Sequence, residues 1–346
     1  MEIARRTIGS GSPCFLIGEA GVNHNGNLKM ALQLVDVAVT AGVDAVKFQT
    51  FSAARVVVRD APKARYQVEA TGSNESQREM LRKLELSPKA HREIQAYCQN
   101  RGILFLSTPF DEKSADLLED LDLPAFKIPS GEITNLPFLA HVARKRKPLI
   151  VSTGMSTMEE VATAVDTIRL AGNVAVALLH CVSAYPAQAA DANLSAMQTM
   201  AKAFDLPIGY SDHTMGTEVA LAAVALGACV LEKHFTLNRI LSGPDHRASL
   251  EPDELSALVR GVRTVEAAIG HGRKEPMPVE ADVAAVSRKS IVAACDIPAG
   301  TPVTRDLLMM KNPGTGWPPS MLGQVVGRVT MKDIPADTLL TEEMFR

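Results

Sequence analysis

Two lysines stand inside apolar runs of this chain, Lys47 in AVKFQTF and Lys127 in AFKIPSG. A buried ammonium group without a partner costs several kcal/mol, so each lysine needs an anion or a carboxylate beside it. Aimed at one mouth, the two suit a phosphate; pairing with a neighbouring carboxylate such as Glu19 or Glu132 is the alternative. Ser130, Ser152 and Ser211 lie at the ends of similar apolar runs, two of them beside glycine or in an STG turn. They offer hydroxyl and backbone N–H donors of the kind phosphate oxygens accept. His213 in YSDHT and His234 in LEKHF end two further runs, and if these are neighbours the imidazoles can converge on one divalent ion. Without a third protein ligand, such a site leaves positions for water and substrate, as Lewis-acid chemistry requires. His24 and His180 read as supporting or structural, and His91, His141 and His271 as surface residues.

These residues need a frame that collects them. Short β-rich apolar runs at 15–18, 45–50, 104–108, 125–129, 149–153, 175–180, 208–211 and 229–234 alternate with amphipathic helical patterns such as 28–41, 87–101, 157–171 and 252–269. Glycines 42, 102, 172 and 270 follow those patterns as left-handed caps would. Eight strand–helix units in about 270 residues predict a (β/α)8 TIM barrel, whose catalytic groups come from the C-terminal strand ends. Polar residues do collect there: Glu19, Asn23 and His24; Lys47 and Gln49; Lys127, Ser130 and Glu132; Ser152 and Thr153; His180, Ser183 and Tyr185; Ser211, Asp212 and His213; Glu232, Lys233 and His234. A doubly wound sheet is the runner-up fold, but the glycines of GEAGVNHNGN do not match a dinucleotide fingerprint.

Residues 271–284 are polar and proline-bearing and read as a linker between a barrel at 1–270 and a small β-rich domain at 285–346. In the latter, DIPAGTPVTRDLL (296–308) is echoed by DIPADTLLTEEMF (333–345), which predicts two similar halves.

Composition narrows the setting. With 46% apolar and 22% charged residues the chain has the balance of a soluble globular protein, and a net charge of −3 argues against nucleic-acid or anionic-membrane partners. The N-terminal apolar stretch is too short for a signal peptide and no run reaches eighteen apolar residues, so the expected location is cytoplasmic. The five cysteines form no CxxC pair, and Cys14, Cys181 and Cys229 fall in or beside strand-like runs, as small buried side chains do.

The segments IGEAGVNHNGN, VDAVKFQTF, APKARYQ with ESQREM, STPFDE, FKIPSGEITNLP, STGM, HCVSAYP, IGYSDHT, LEKHFTL and GPDHRASLEPDEL resemble, in that order, the sialic acid (nonulosonic acid) synthase family. The C-terminal part is similar to the antifreeze-like SAF (β-clip) domain of those enzymes. The resemblance implies condensation of phosphoenolpyruvate (PEP) with an N-acyl amino-sugar aldehyde, commonly N-acetylmannosamine, to give N-acetylneuraminate and phosphate with C–O cleavage. By matching position, Lys47, Lys127, Ser130, Ser152 and Ser211 would hold PEP, the lysines also neutralising its charge during catalysis. His213 and His234 would bind a divalent ion, Mn²⁺ before Mg²⁺ or Co²⁺. Glu19, Gln49, Tyr185 and Asp245 would contact the sugar, and Glu132 would relay a proton. The resemblance also implies a domain-swapped homodimer, the small domain of one chain covering the barrel mouth of the other.

One position departs from the family pattern. Where an arginine usually precedes Pro-Gly and reaches the partner's sugar site, KNPGTGW has Asn312 after Lys311. Losing a bidentate guanidinium is not conservative. It keeps open 2,4-diacetamido-2,4,6-trideoxymannose, the precursor of N,N'-diacetyllegionaminate, as the sugar. Other readings are a pyruvate aldolase with Lys127 or Lys47 as Schiff base, a non-catalytic saccharide- or ice-binding module, and a synthase acting on a sugar phosphate, for which no second basic cluster stands out.

Overall fold

The computed structural model describes all residues, Met1 to Arg346. They divide into two compact units, Met1–Gly270 and His271–Arg346. The first is the expected barrel. Its strands are β1 (Phe15–Gly21), β2 (Ala45–Thr50), β3 (Leu104–Pro109), β4 (Phe126–Ile128), β5 (Leu149–Ser152), β6 (Val176–Cys181), β7 (Ile208–Asp212) and β8 (Val230–His234). All pair in parallel, in the order β3-β2-β1-β8-β7-β6-β5-β4. Strands β3 and β4 lie side by side without a ladder of their own, so the barrel closes around one seam.

Each strand is followed by a main helix: α1 (Leu28–Ala41), α2 (Pro88–Arg101), α3 (Glu112–Asp120), α4 (Leu136–Ala143), α5 (Met158–Leu170), α6 (Ser195–Phe204), α7 (Glu218–Ala225) and α8 (Pro252–Ile269). Local chemistry sets their ends. Asn27, Ser87, Asp111 and Thr157 accept from backbone N–H groups of the first turns of α1, α2, α3 and α5. Gly42 closes α1 at φ 81°, a conformation that costs a side chain free energy. Apolar helix faces pack on the outward strand residues, forming the larger core around Leu34, Val46, Phe48, Phe126 and Tyr210. No helix is long and apolar enough to cross a membrane.

The barrel interior is where the sequence becomes a site. Because strand side chains alternate, residues two apart face the same way. Ile17, Ala45, Leu106, Ala125, Ile150, Leu179 and Val230 form a buried apolar layer inside the barrel, joined by Ile3 and Ile8 from the N-terminal hairpin. Two residues further along the same strands stand Glu19, Lys47, Thr108, Lys127, Ser152, Cys181 and Glu232, with Ser211 two beyond Gly209 on β7. Two residues along the strands thus take the interior from an apolar layer to a largely polar one, charged at Glu19, Lys47, Lys127 and Glu232.

The second unit pairs β9 (Ser290–Ala293) antiparallel to β10 (Leu308–Lys311). Its repeated halves meet at equivalent residues: Ile297 and Ile334 exchange N–H···O bonds of 2.8 Å in both directions. Asp296 accepts from Ala336 N–H, and Asp333 accepts from Ala299 N–H, at 2.8 and 2.7 Å. The stretch expected as a linker is helical in its last part, Ala281–Ser287, as its alanines favour. Asn312 is exposed on this unit, just after β10. Cys295 is exposed and the other four cysteines are buried free thiols.

Candidate active site

The polar layer floors a cavity of about 460 Å³ at the C-terminal strand ends, lined by residues of the first unit. Lys47 Nζ lies 2.7 Å from Glu19 Oε2 and 3.6 Å from Glu232 Oε2, and donates to Thr108 Oγ1 at 2.9 Å. Lys127 has one carboxylate within 4 Å, Glu232, at 3.4 Å. Ser211 Oγ donates to the same carboxylate at 3.1 Å. The carboxylate pairing open for the lysines is present: Lys47 meets Glu19, and the second carboxylate is Glu232 and not Glu132.

Electrostatics separates the two acids. Burial pushes Glu19 up despite the pull of Lys47. Burial also acts upward on Glu232, but the ammonium groups of Lys127 and Lys47 outweigh it and hold this carboxyl low. Lys127 is lowered, by burial first, whereas in Lys47 the carboxylates of Glu19 and Glu232 overcome burial and raise it. Two ammonium groups thus face two acids, Glu232 firmly ionised and Glu19 with its charge disfavoured by burial, and Lys127 is the less fully paired of the two lysines. Beside them the buried Ser152 Oγ has no hydrogen-bond partner, an unusual state for an enclosed hydroxyl and one that a bound oxyanion would relieve.

Ser130 completes this wall through contacts that leave no spare room. Its Oγ accepts from Gly154 N–H at 2.9 Å and lies 3.0 Å from Cys181 Sγ. A Cβ on Gly154 would stand 2.4 Å from Ser183 Oγ, 2.8 Å from Cys181 Sγ and 2.9 Å from Ser130 Oγ. Gly154→Ala is accordingly expected to displace Ser130 and Ser183 and lower kcat/KM on the order of 10²-fold, with circular dichroism unchanged. Wild-type turnover in that variant would show that the serine wall is not needed.

Higher in the cavity, His213 and His234 stand with ring centroids 5.5 Å apart. His213 Nδ1 meets the Val182 carbonyl at 2.7 Å, and because a carbonyl cannot donate, the proton is on Nδ1; the Nε2 lone pair lies 3.5 Å from Ser211 Oγ, whose proton goes to Glu232. His234 Nδ1 is buried without a partner. Burial lowers both rings, His213 to about 4 and His234 well below its ordinary value, so both are neutral at pH 7. Neutral imidazoles with free nitrogens at this spacing fit a divalent ion. No group of three His, Cys, Asp or Glu side chains converges, so most coordination positions would be left open.

Tyr185 lies against His213 at 4.2 Å and against Tyr66 at 5.0 Å. Gln49 Nε2 donates to Glu19 Oε1 at 3.2 Å, tying two expected sugar contacts together. Asp245 lines the cavity with no cation within 4 Å, and burial pushes its carboxyl up to about 6.

Several expectations need correction. Glu132 lies one residue outside the lining: Ser130 and Gly131 face the cavity, whereas the Glu132 carboxylate accepts from Asn135 Nδ2 at 2.6 Å. Asn23, His24, Thr153, His180, Asp212 and Lys233, grouped above with the strand-end ring, do not line the cavity, and Asp212 and Lys233 turn to the helix side because they alternate with inward neighbours. His91 is not at the surface; it is buried, 2.8 Å from Thr50 Oγ1. Its spacing with Ile94 and Cys98, i, i+3 and i+7, was the available signal. Missed altogether were the roles of Glu232 and Thr108, and of Tyr66 and Gln67, which line the cavity from the 51–87 excursion between β2 and α2.

Residues 34–274 match the model of the NeuB family, and 288–346 that of the SAF domain. The chain belongs to the NeuB family. An N,N'-diacetyllegionaminic acid synthase of Legionella pneumophila is 47% identical over 97% of this chain and 96% of its own length. One of Campylobacter jejuni is 46% identical over 94% and 98%. Among solved structures, an N-acetylneuraminic acid synthetase of Leptospira borgpetersenii in complex with citrate is similar with TM-score 0.73 and 36% identity, over 82% of this chain and 94% of that one. As a NeuB-family member the chain is a nonulosonic acid synthase, a condensing enzyme with a TIM barrel and a SAF domain.

Proposed function

We propose that this NeuB-family enzyme condenses PEP with 2,4-diacetamido-2,4,6-trideoxymannose to give N,N'-diacetyllegionaminate and phosphate. The observation that carries the PEP half is the pair of buried lysines on the cavity floor, Lys47 and the less fully paired Lys127, with the unpartnered Ser152 hydroxyl beside them. Two considerations place this sugar ahead of N-acetylmannosamine, the sugar that the motifs alone put first. The two legionaminic acid synthases are 47% and 46% identical, against 36% for the N-acetylneuraminic acid synthetase. The excursion also adds Val56, Val57, Met80 and Leu81 to a lining that holds Tyr66, Gln67 and Gln77, apolar surface on which acetamido and 6-deoxy methyl groups would pack.

PEP is a masked enol, so its C3 attacks the aldehyde carbon without prior deprotonation. Water adds at C2 and the C2–O bond to phosphate breaks, leaving the 2-keto acid. Lys47, Lys127, Ser130, Ser152 and Ser211 hold and neutralise the phosphate and carboxylate, which carry charge throughout. A divalent ion, Mn²⁺ first, held by His213 and His234, would supply Lewis acidity at the aldehyde oxygen. Glu19, Gln49, Tyr185 and Asp245 orient the sugar. Glu132, whose carboxyl burial raises, would relay the proton at C2 through a water, since it turns to Asn135 and reaches the cavity edge beside the lining residue Gly131. Asn312 is proposed to contact the sugar from a partner chain's small domain in a homodimer.

Phosphate release from PEP should be measured with both sugars and Mn²⁺. The expected kcat/KM favours the diacetamido sugar on the order of 10²-fold, the scale that apolar pockets achieve. Equal or reversed preference overturns the sugar, and no phosphate with either overturns the condensation.

A further inference from the structure

Outside the cavity, on the helix side of β7 and β8, lies a second ionic cluster that the chemistry above does not use. Lys233 Nζ is 2.6 Å from Asp212 Oδ2, with side chains 2% and 0% exposed. The same ammonium donates to the Thr214 carbonyl. The other carboxylate oxygen, Asp212 Oδ1, accepts from Thr214 N–H at 2.9 Å and from Thr214 Oγ1 at 2.8 Å, closing an Asx turn. Both carboxylate oxygens of Asp212 are used.

The turn encloses one residue, His213. Its two chain neighbours are both bound to Lys233, and Lys233 is the chain neighbour of His234. Register places Glu232 opposite Ser211 and Lys233 opposite Asp212, so the link runs straight across between adjacent strands. A buried ion pair is poor as a source of stability, because desolvation consumes most of the Coulombic gain. It does fix geometry, since an ammonium bound to a carboxylate and a carbonyl at once admits little sliding.

We propose that Asp212 and Lys233 are positioning residues that set the separation of the His213 and His234 imidazoles from behind the barrel wall. The proposal rests on the reading of those histidines as a divalent-ion site, and its test separates the two ideas. Three variants of the full chain are required: Asp212→Asn, Lys233→Met, and the two combined. Each single change leaves one buried charge without its partner, so a loss of thermal stability is expected for both. The double variant removes both charges, and the amide oxygen introduced by Asp212→Asn can still accept from Thr214 N–H, so its melting temperature should recover.

Mn²⁺ affinity, measured by electron paramagnetic resonance of free Mn²⁺, should stay 10–100-fold weaker in the double variant despite that recovery. The Cε1–H signals of His213 and His234 in metal-free protein carrying [¹³Cε1]histidine, assigned through His213→Gln and His234→Gln, should shift or broaden with it. Recovery of wild-type Mn²⁺ affinity together with stability would reduce the pair to a structural element and overturn the proposal. If the wild-type protein binds no Mn²⁺, the metal reading falls and the histidine signals decide: altered signals sustain the positioning role and unchanged ones end it.

Discussion

Lys127→Met will lose two to three orders of magnitude in kcat/KM for PEP and keep its fold, whereas Lys47→Met will lose both activity and stability. The two lysines look equivalent in sequence, but their partners differ. Lys47 is held by Glu19 at 2.7 Å, Thr108 at 2.9 Å and Glu232 at 3.6 Å. Removing it leaves the buried Glu19 carboxyl with no cation within 4 Å, and loss of one partner of a buried pair costs about 3 kcal/mol or more. Lys127 has only the 3.4 Å contact with Glu232, which also receives the Ser211 hydroxyl and lies near Lys47. Its own burial already disfavours its charge. Stability of Lys127→Met should therefore stay within about 1 kcal/mol of wild type, since the lost attraction is offset by a lost desolvation cost.

The loss of activity has another origin. An ammonium group that its neighbours leave under-coordinated is free to meet the phosphate, and a preorganised charge at that point is worth roughly 10²–10³-fold or more. Urea unfolding and phosphate-release kinetics on the two variants read the two quantities separately. Lys127→Met with turnover within tenfold of wild type would remove this lysine from anion binding.

This contrast marks what the sequence could convey. Barrel, strand ends and polar ring were legible because each strand repeats one pattern, an apolar inward residue followed two positions later by a polar one, as in Ala45/Lys47 and Ala125/Lys127. The sorting of consecutive polar residues was harder. In LEKH, Glu232 and His234 face the cavity while Lys233 between them faces the helices, and only the pleat decides which is which. Glu232 was thus passed over as the partner of both lysines. The 51–87 excursion carries no period to read, so Tyr66 and Gln67 gained a place in the site only through tertiary packing. Glu132 shows the reverse case, a residue whose motif points to the site while its side chain turns to Asn135.

The same burial that keeps the site's imidazoles neutral makes the barrel acid-sensitive. Burial lowers His24 to about 3, His213 to about 4 and His246 to about 4, with His234 also well below its ordinary value. Unfolded, each would titrate near about 6.5. A lowered imidazole contributes stability that is present above the unfolded pKa and lost as pH falls towards the folded one, because the unfolded chain takes up protons the folded chain refuses. Asp245 and Glu19, both raised by burial, act in the opposite sense, since the folded state binds their protons first. Near pH 5.5, these four histidines, with His91 lowered by burial in the same sense, stand against Asp245, Glu19 and Glu132, all raised by burial, and leave roughly two protons in favour of the unfolded state, a slope of about 2–3 kcal/mol per pH unit. Urea midpoints measured with chelator between pH 7.5 and 5.5 should fall accordingly. His246→Gln, which cannot titrate, should flatten the slope by about 1 kcal/mol per unit near pH 5.5 and by less towards pH 7.5. His246 donates to Asn25 Oδ1 and lies 2.6 Å from Thr236 Oγ1, outside the cavity lining, so this change tests acid sensitivity without removing a lining side chain. Stability that is flat or rising as pH falls through 6 would contradict the neutral, buried state of these rings, and with it the form in which His213 and His234 could hold a metal.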